Sequence, residues 1–178
     1  MVPGAGRRRQ PGSGEVDWCK LQYPATLEVA ATLPSELVFG QVLETGLTGN
    51  NPTPFITAQL GWGASGSMPD TAWTWVDADY NPAFSNPANE ELMAQLAFPA
   101  QGTYAYAYRM SLDGGLSWKV CDLNGSDDGF QPEQAGSATV GPEPMPQLFF
   151  SEYIEGSSNN KALEIYNAGA YPARLSRC

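Results

Sequence analysis

The chain has 178 residues, no histidine, and nineteen acidic against nine basic residues, for a formal net charge of -10. Without histidine, histidine-dependent catalytic triads and HExxH metalloproteases are excluded, whereas hydrolases that work with two carboxylates are not. The acidic balance opposes binding to nucleic-acid backbones, which needs an attractive electrostatic term.

A hydrophobic content of 42% can build a proper core, and 19 glycines with 15 prolines suit many short strands better than long helices. Residues 1–16 begin MVPGAGRRRQPGSGE and read as a disordered tail. They carry no apolar run of the roughly 7–15 residues that a secretory signal needs. No stretch of the chain is long enough to span a membrane.

From Asp17 the pattern changes. After WCKLQYP, residues 26–32 place Leu27, Val29 and Ala31 in alternation, and residues 36–43 read as a second strand. Residues 46–54 are loop by composition, and residues 55–62 form a third strand ended by GASG. In residues 71–79, Trp73 and Trp75 are two apart and so share a strand face. Residues 80–89 read as loop. Residues 90–98 fit helical spacing or alternation, and Pro99 with the turn residues after it decides for strand.

The clearest signal lies in residues 102–122. Tyr104, Tyr106, Tyr108 and Met110 alternate with Ala105, Ala107, Arg109 and Ser111, and Asp113-Gly114-Gly115 supplies a tight turn into residues 116–121. About seven short strands across residues 17–127 predict an all-β fold, an immunoglobulin-like or fibronectin-III-like β-sandwich. Residues 128–147 lose periodicity and read as a Gly/Pro/acid-rich linker. Residues 148–155 and 162–166 then read as two strands around a Ser-Ser-Asn-Asn turn.

Cysteines stand at 19, 121 and 178. Cys19 and Cys121 lie near the two ends of the first domain, where a disulfide would staple it; two buried free thiols are the alternative. Cys178 is then left free.

Three constellations carry possible chemistry. Trp73, Trp75 and Tyr80 border a polar loop and could offer flat rings to a sugar. The alternating tyrosines, with Trp118 across the hairpin, read instead as core. Asp122, Asn124, Ser126 and Asp128 have the alternate spacing with which a loop wraps calcium. Asp127 stands where an EF-hand needs glycine, so a solvated acidic turn is the plainer reading and no cofactor is required. Glu90, Glu91, Glu152, Glu155 and Glu164 have nothing in the sequence that joins them in a glycosidase-like pair.

The segment LFFSEYIEGSSNNKALEIYN, residues 148–167, resembles the opening of a bacterial lamin-tail domain, with strand, EGSSNNK turn and EIYN strand in order. The resemblance implies an immunoglobulin-like accessory module of exported proteins, of which residues 148–178 would be the N-terminal part of an incomplete second sandwich. Residues 173–176 resemble the start of its third strand. Residues 17–127 are similar to sandwich modules that precede lamin-tail or other repeats in large bacterial exported proteins. The similarity lies in Trp18-Cys19, FGQV and Gly102-Thr103-Tyr104 through the DGG turn to Trp118 and Cys121-Asp122. Fibronectin-like and carbohydrate-binding accessory modules show a hairpin resembling YRMSLDGGLSW. Together the two resemblances imply a non-catalytic binding or spacer module, extracellular or at the cell surface. Its partner would be carbohydrate or a protein surface, with further domains in the same parent protein. The competing reading is an accessory fragment of a secreted hydrolase or nuclease.

Overall fold

The computed structural model describes residues 14–49 and 52–173. In chain order the strands are β1 (Trp18–Tyr23), β2 (Thr26–Ala30), β3 (Val38–Leu43), β4 (Thr57–Ala64), β5 (Thr74–Asp77) and β6 (Asp79–Tyr80). They continue as β7 (Glu90–Ala94), β8 (Gly102–Ser111), β9 (Lys119–Cys121), β10 (Gly136–Gly141), β11 (Leu148–Glu155) and β12 (Lys161–Asn167). One sheet runs β1-β3-β7-β6, and the other runs β2-β10-β8-β4-β5 with β9 also on β8. This is the ABED and GFC-plus-C′ neighbour pattern of an immunoglobulin-like sandwich, with β4 in the C position and β8 in F.

β8 is long enough to serve two neighbours along one edge. Its first half pairs with β10 and its second half with β9. β10 pairs in parallel with β2 on its other side.

The predicted alternation on β8 places its tyrosines between the sheets. Tyr106, Tyr108 and Met110 are fully buried, with Leu21, Val38, Val42 and Leu60 around them. Two buried phenols need acceptors, and they find them across the sandwich. Tyr106 donates to the Pro24 carbonyl at 2.7 Å, and Tyr108 to that of Val38 at 2.6 Å. Burial pushes both hydroxyls well above the usual tyrosine range, helped by the charge of Glu36 for Tyr106 and of Glu91 for Tyr108. The Tyr108 ring lies so close to Gly40 that a Cβ there would stand 2.7 Å from it. At the start of β8, Tyr104 donates to the Ala100 carbonyl at 3.0 Å, the tyrosine corner of such sandwiches. Its ring meets Trp62 edge-on at 5.0 Å and Phe98 at 5.0 Å, closing that part of the core.

Two boundary expectations and one core assignment change. The tail gives way to the sandwich by Gly14, whose carbonyl accepts from the Leu112 amide at 2.6 Å, and Val16 is buried in the core. The linker reading of residues 128–147 does not hold for Gly136–Gly141, which is β10, with Ala138 and Val140 buried. Trp118 lies outside the core, over Arg109. The expectations for residues 1–13, for Cys178 and for residues 174–176 lie outside the described residues.

β11 and β12 form a two-stranded sheet of their own, within which β12 ends at the half-exposed Asn167 and the other side chains are exposed. No helix among the described residues is long and apolar enough to cross a membrane.

Candidate functional site

The outer face of the second sheet carries most of the unusual chemistry. On β4 the outward positions include Gly61 and Gly63, and on β8 they include Ala105 and Ala107. Such small side chains leave a shallow floor, and two indoles fill it. A Cβ on Gly61 would lie 2.3 Å from the Trp75 ring, and one on Gly63 the same distance from that of Trp73. The indoles stack with centroids 5.6 Å apart and planes at 27°, and Phe130 meets Trp73 edge-on at 6.0 Å. The Trp73 Nε1 donates to the Ser67 hydroxyl at 2.9 Å.

Arg109 extends this layer. Its guanidinium carbon is 4.1 Å from the Trp75 centroid and 4.2 Å from that of Trp118, so the cation is held between two indole faces. Such a contact contributes about 1–2 kcal/mol when partly desolvated. Arg109 Nε donates to Gln59 Oε1 at 2.8 Å, and Gln59 Nε2 donates to Asp77 at 2.8 Å. Partial burial lowers the Arg109 pKa.

The three rings read as a sugar platform are therefore not one surface. Trp73 is only 5% exposed, Trp75 shares its ring with Trp73 and Arg109, and Tyr80 sits on β6 of the other sheet, packed against the main core. The period of two placed both tryptophans on one face. It could not show that the facing strand offers glycines for them to lie on.

The turn beside Trp118 is closed by its own polar side chains. Asp113 Oδ1 accepts from the Ser111 hydroxyl at 2.7 Å and from the amides of Leu116 and Ser117 at 3.0 and 2.9 Å; Oδ2 accepts from the Ser117 hydroxyl at 2.6 Å. The Ser111 hydroxyl in turn accepts from the Gly115 amide at 2.9 Å. Gly114 and Gly115 adopt φ of 72° and 93°, which side-chain-bearing residues resist. The spacing of serine, aspartate and serine at 111, 113 and 117 was the available signal, through the local side-chain-to-backbone bonds these residues make.

These bonds, that of the Ser117 hydroxyl foremost, hold the Asp113 carboxyl well below its ordinary value of 3.8. A carboxyl depressed in the folded state stabilises it fully above that ordinary value and loses the contribution as pH falls below it. The difference in Tm between the wild type and Asp113→Ala should thus be level from pH 7 to about 5 and shrink below pH 4. Thermal melts across that range check it, and a difference that grows with acid would overturn the assignment.

The acidic loop has a different geometry from a cation cage. Asp122 is buried, and its two oxygens accept from the amides of Gly125 at 3.3 Å and Gln131 at 3.0 Å. Asn124, Ser126 and Asp128 do come together, with the Ser126 hydroxyl between the other two. Lys119 reaches Asp127 at 2.8 Å. Among the described residues no group of three or more histidine, cysteine, aspartate or glutamate side chains is placed to hold a metal.

Glu90 and Glu91 are both buried. As neighbours on β7 they point to opposite faces. Glu90 accepts from the Thr53 amide at 3.2 Å and Glu91 from the Asn81 side chain at 2.5 Å.

Cys19 and Cys121 form a disulfide with Cα atoms 5.4 Å apart, across 102 residues of sequence. It joins β1 of one sheet to β9 of the other. Polar bonds flank it: the Leu21 amide to the Asp122 carbonyl at 2.8 Å, Trp18 Nε1 to the Gly125 carbonyl at 2.7 Å, and Lys119 Nζ to the Asp17 carbonyl at 2.9 Å.

No protein-family model matches the chain, and no curated protein does. Among solved structures it is similar to the carbohydrate binding module of the muscle glycogen-targeting subunit of Protein Phosphatase-1. That likeness has a TM-score of 0.36 at 12% identity and covers 58% of this chain and 69% of the other. At that level it bears on neither ligand nor activity here.

Proposed function

We propose that the chain is a non-catalytic spacing and binding module of an exported or cell-surface protein, directed to a protein surface. The observation that carries this is the Cys19–Cys121 bridge between the two sheets. Such bonds persist in oxidising compartments and are rare where glutathione keeps thiols reduced. In this reading the sandwich is a stiff, covalently tied unit, and residues 148–173 are the opening hairpin of a lamin-tail-like module. Strands β11 and β12 around the Ser157–Asn160 turn support that part of the reading. The non-catalytic reading is supported by Glu90 and Glu91, which face apart and bind their own loops.

A carbohydrate partner is the second reading, because Trp75 and Trp118 remain half exposed. A glycan array with parallel thermal melts separates the two. The expected result is no glycan bound by the folded wild type, and a loss of about 3–5 kcal/mol for Trp73→Ala, as for any large aromatic removed from a packed layer. Glycan binding that Trp75→Ala abolishes at little cost in stability would overturn the protein-surface reading.

A further inference from the structure

Asn124-Gly125-Ser126 is an Asn-x-Ser triad whose middle residue is not proline, the acceptor sequence of N-linked glycosylation. Every other asparagine lacks the serine or threonine two residues on, except Asn51, whose triad is blocked by Pro52. Triads of this kind also arise by chance, so the fold decides whether one is usable. Here three observations agree. Asn124 is exposed, in the loop that leads from β9 to a short helical turn at Pro132–Gln134. Its Oδ1 accepts from the Ser126 amide at 2.7 Å and lies 2.6 Å from the Ser126 hydroxyl. Its Nδ2, the atom that takes a sugar, has no hydrogen-bond partner among the described residues. Third, the triad begins three residues after Cys121, whose disulfide belongs to an oxidising compartment.

We propose that Asn124 is an N-glycosylation site, filled on the emerging chain by a transferase that uses a lipid-linked oligosaccharide. A bond forms between Asn124 Nδ2 and C1 of the first sugar, and the bond from C1 to the lipid diphosphate breaks. The diphosphate leaves with the electron pair, and one Nδ2 proton passes through the transferase to water. The proposal rests on the export reading above for its compartment alone. The fold sets the order of events. Gly125 has a φ of 63°, its carbonyl accepts from Trp18 Nε1 at 2.7 Å, and a Cβ on it would stand 3.0 Å from Lys20. Asp122, two residues before the acceptor, is buried and holds the amides of Gly125 and Gln131. The backbone of the triad is thus anchored to β1 and to its own loop, whereas a transferase has to draw it into a cleft. Modification therefore precedes closure of the loop. Closure then leaves the Asn124 side chain, and the sugar on it, outside the packed layers.

The test is synthesis of the full chain, behind an export signal, into microsomes that hold a transferase and its lipid-linked oligosaccharide. The parent chain should gain the mass of one glycan, and peptide:N-glycosidase should remove it and leave aspartate at position 124. Asn124→Gln and Ser126→Ala should stay at the unmodified mass, while Ser126→Thr keeps the glycan. The glycosylated parent should still close Cys19–Cys121 and melt cooperatively. The same transferase, given the purified and oxidised chain, should leave it largely unmodified. A parent chain left bare beside a control acceptor that is modified overturns the site, as does a gain in mass that survives Asn124→Gln. A glycosylated chain that fails to form its disulfide overturns it too, since the sugar would then oppose the fold. Equal modification of the folded chain overturns the order of events. The export reading falls separately, if the native protein is recovered from its cells with Cys19 and Cys121 as free thiols.

Discussion

A chain ended after Asp127 will not fold cooperatively, whereas one running from Gly14 to Glu143 will melt as the full chain does. The difference is β10. It fills the gap between β2 and β8, with five register pairs to each, and buries Ala138 and Val140 in the core. Without it β2 has no strand partner, the first half of β8 is bare on one edge, the Ala25 carbonyl loses the Ser137 amide, and the Ala31 amide loses the Gly141 carbonyl. Unpaired buried backbone groups each cost about 1–3 kcal/mol, and a domain's whole stability is only about 5–15 kcal/mol. Far-ultraviolet circular dichroism with thermal melting decides it. Cooperative melting of the shorter chain would mean that β10 decorates the sandwich without completing it.

Reduction of Cys19–Cys121 should be the most costly single chemical change. The bridge closes 102 residues of chain, and on loop-closure entropy alone its loss costs about 4–5 kcal/mol. The effect acts on the unfolded state, which regains the conformations the crosslink had removed. Guanidinium unfolding of the oxidised chain and of the Cys19→Ala, Cys121→Ala double variant measures it. The midpoint should fall, and the slope should rise as the unfolded chain expands. A loss under about 1 kcal/mol would show that the unfolded chain stays compact without its crosslink.

What the sequence made legible was local. Alternation at Tyr104, Tyr106 and Tyr108 identified the strand and its inner face, because a period of two has only one reading when bulky and small residues alternate so strictly. β10 escaped because GSATVG has two apolar side chains worth burying, and its strand character comes from the partners on either side. Tyr80 was grouped with the tryptophans by sequence distance, yet the short β6 crosses to the other sheet within a few residues of Trp75. The four oxygens from Asp122 to Asp128 had the spacing for a cation, but Asp122 bonds to amides that lie three and nine residues further on. Spacing along a chain does not reveal which backbone groups a loop will turn inward.

The glycine and alanine floor beneath Trp73 and Trp75 has a consequence for anyone who redesigns this protein. A binary pattern of apolar inside and polar outside would mark positions 61, 63, 105 and 107 as surface, free for solubilising side chains. Ala107 is in fact fully enclosed, and growth at Gly61 or Gly63 runs into an indole. The second sheet is therefore better treated as the middle layer of three, packed on both of its faces.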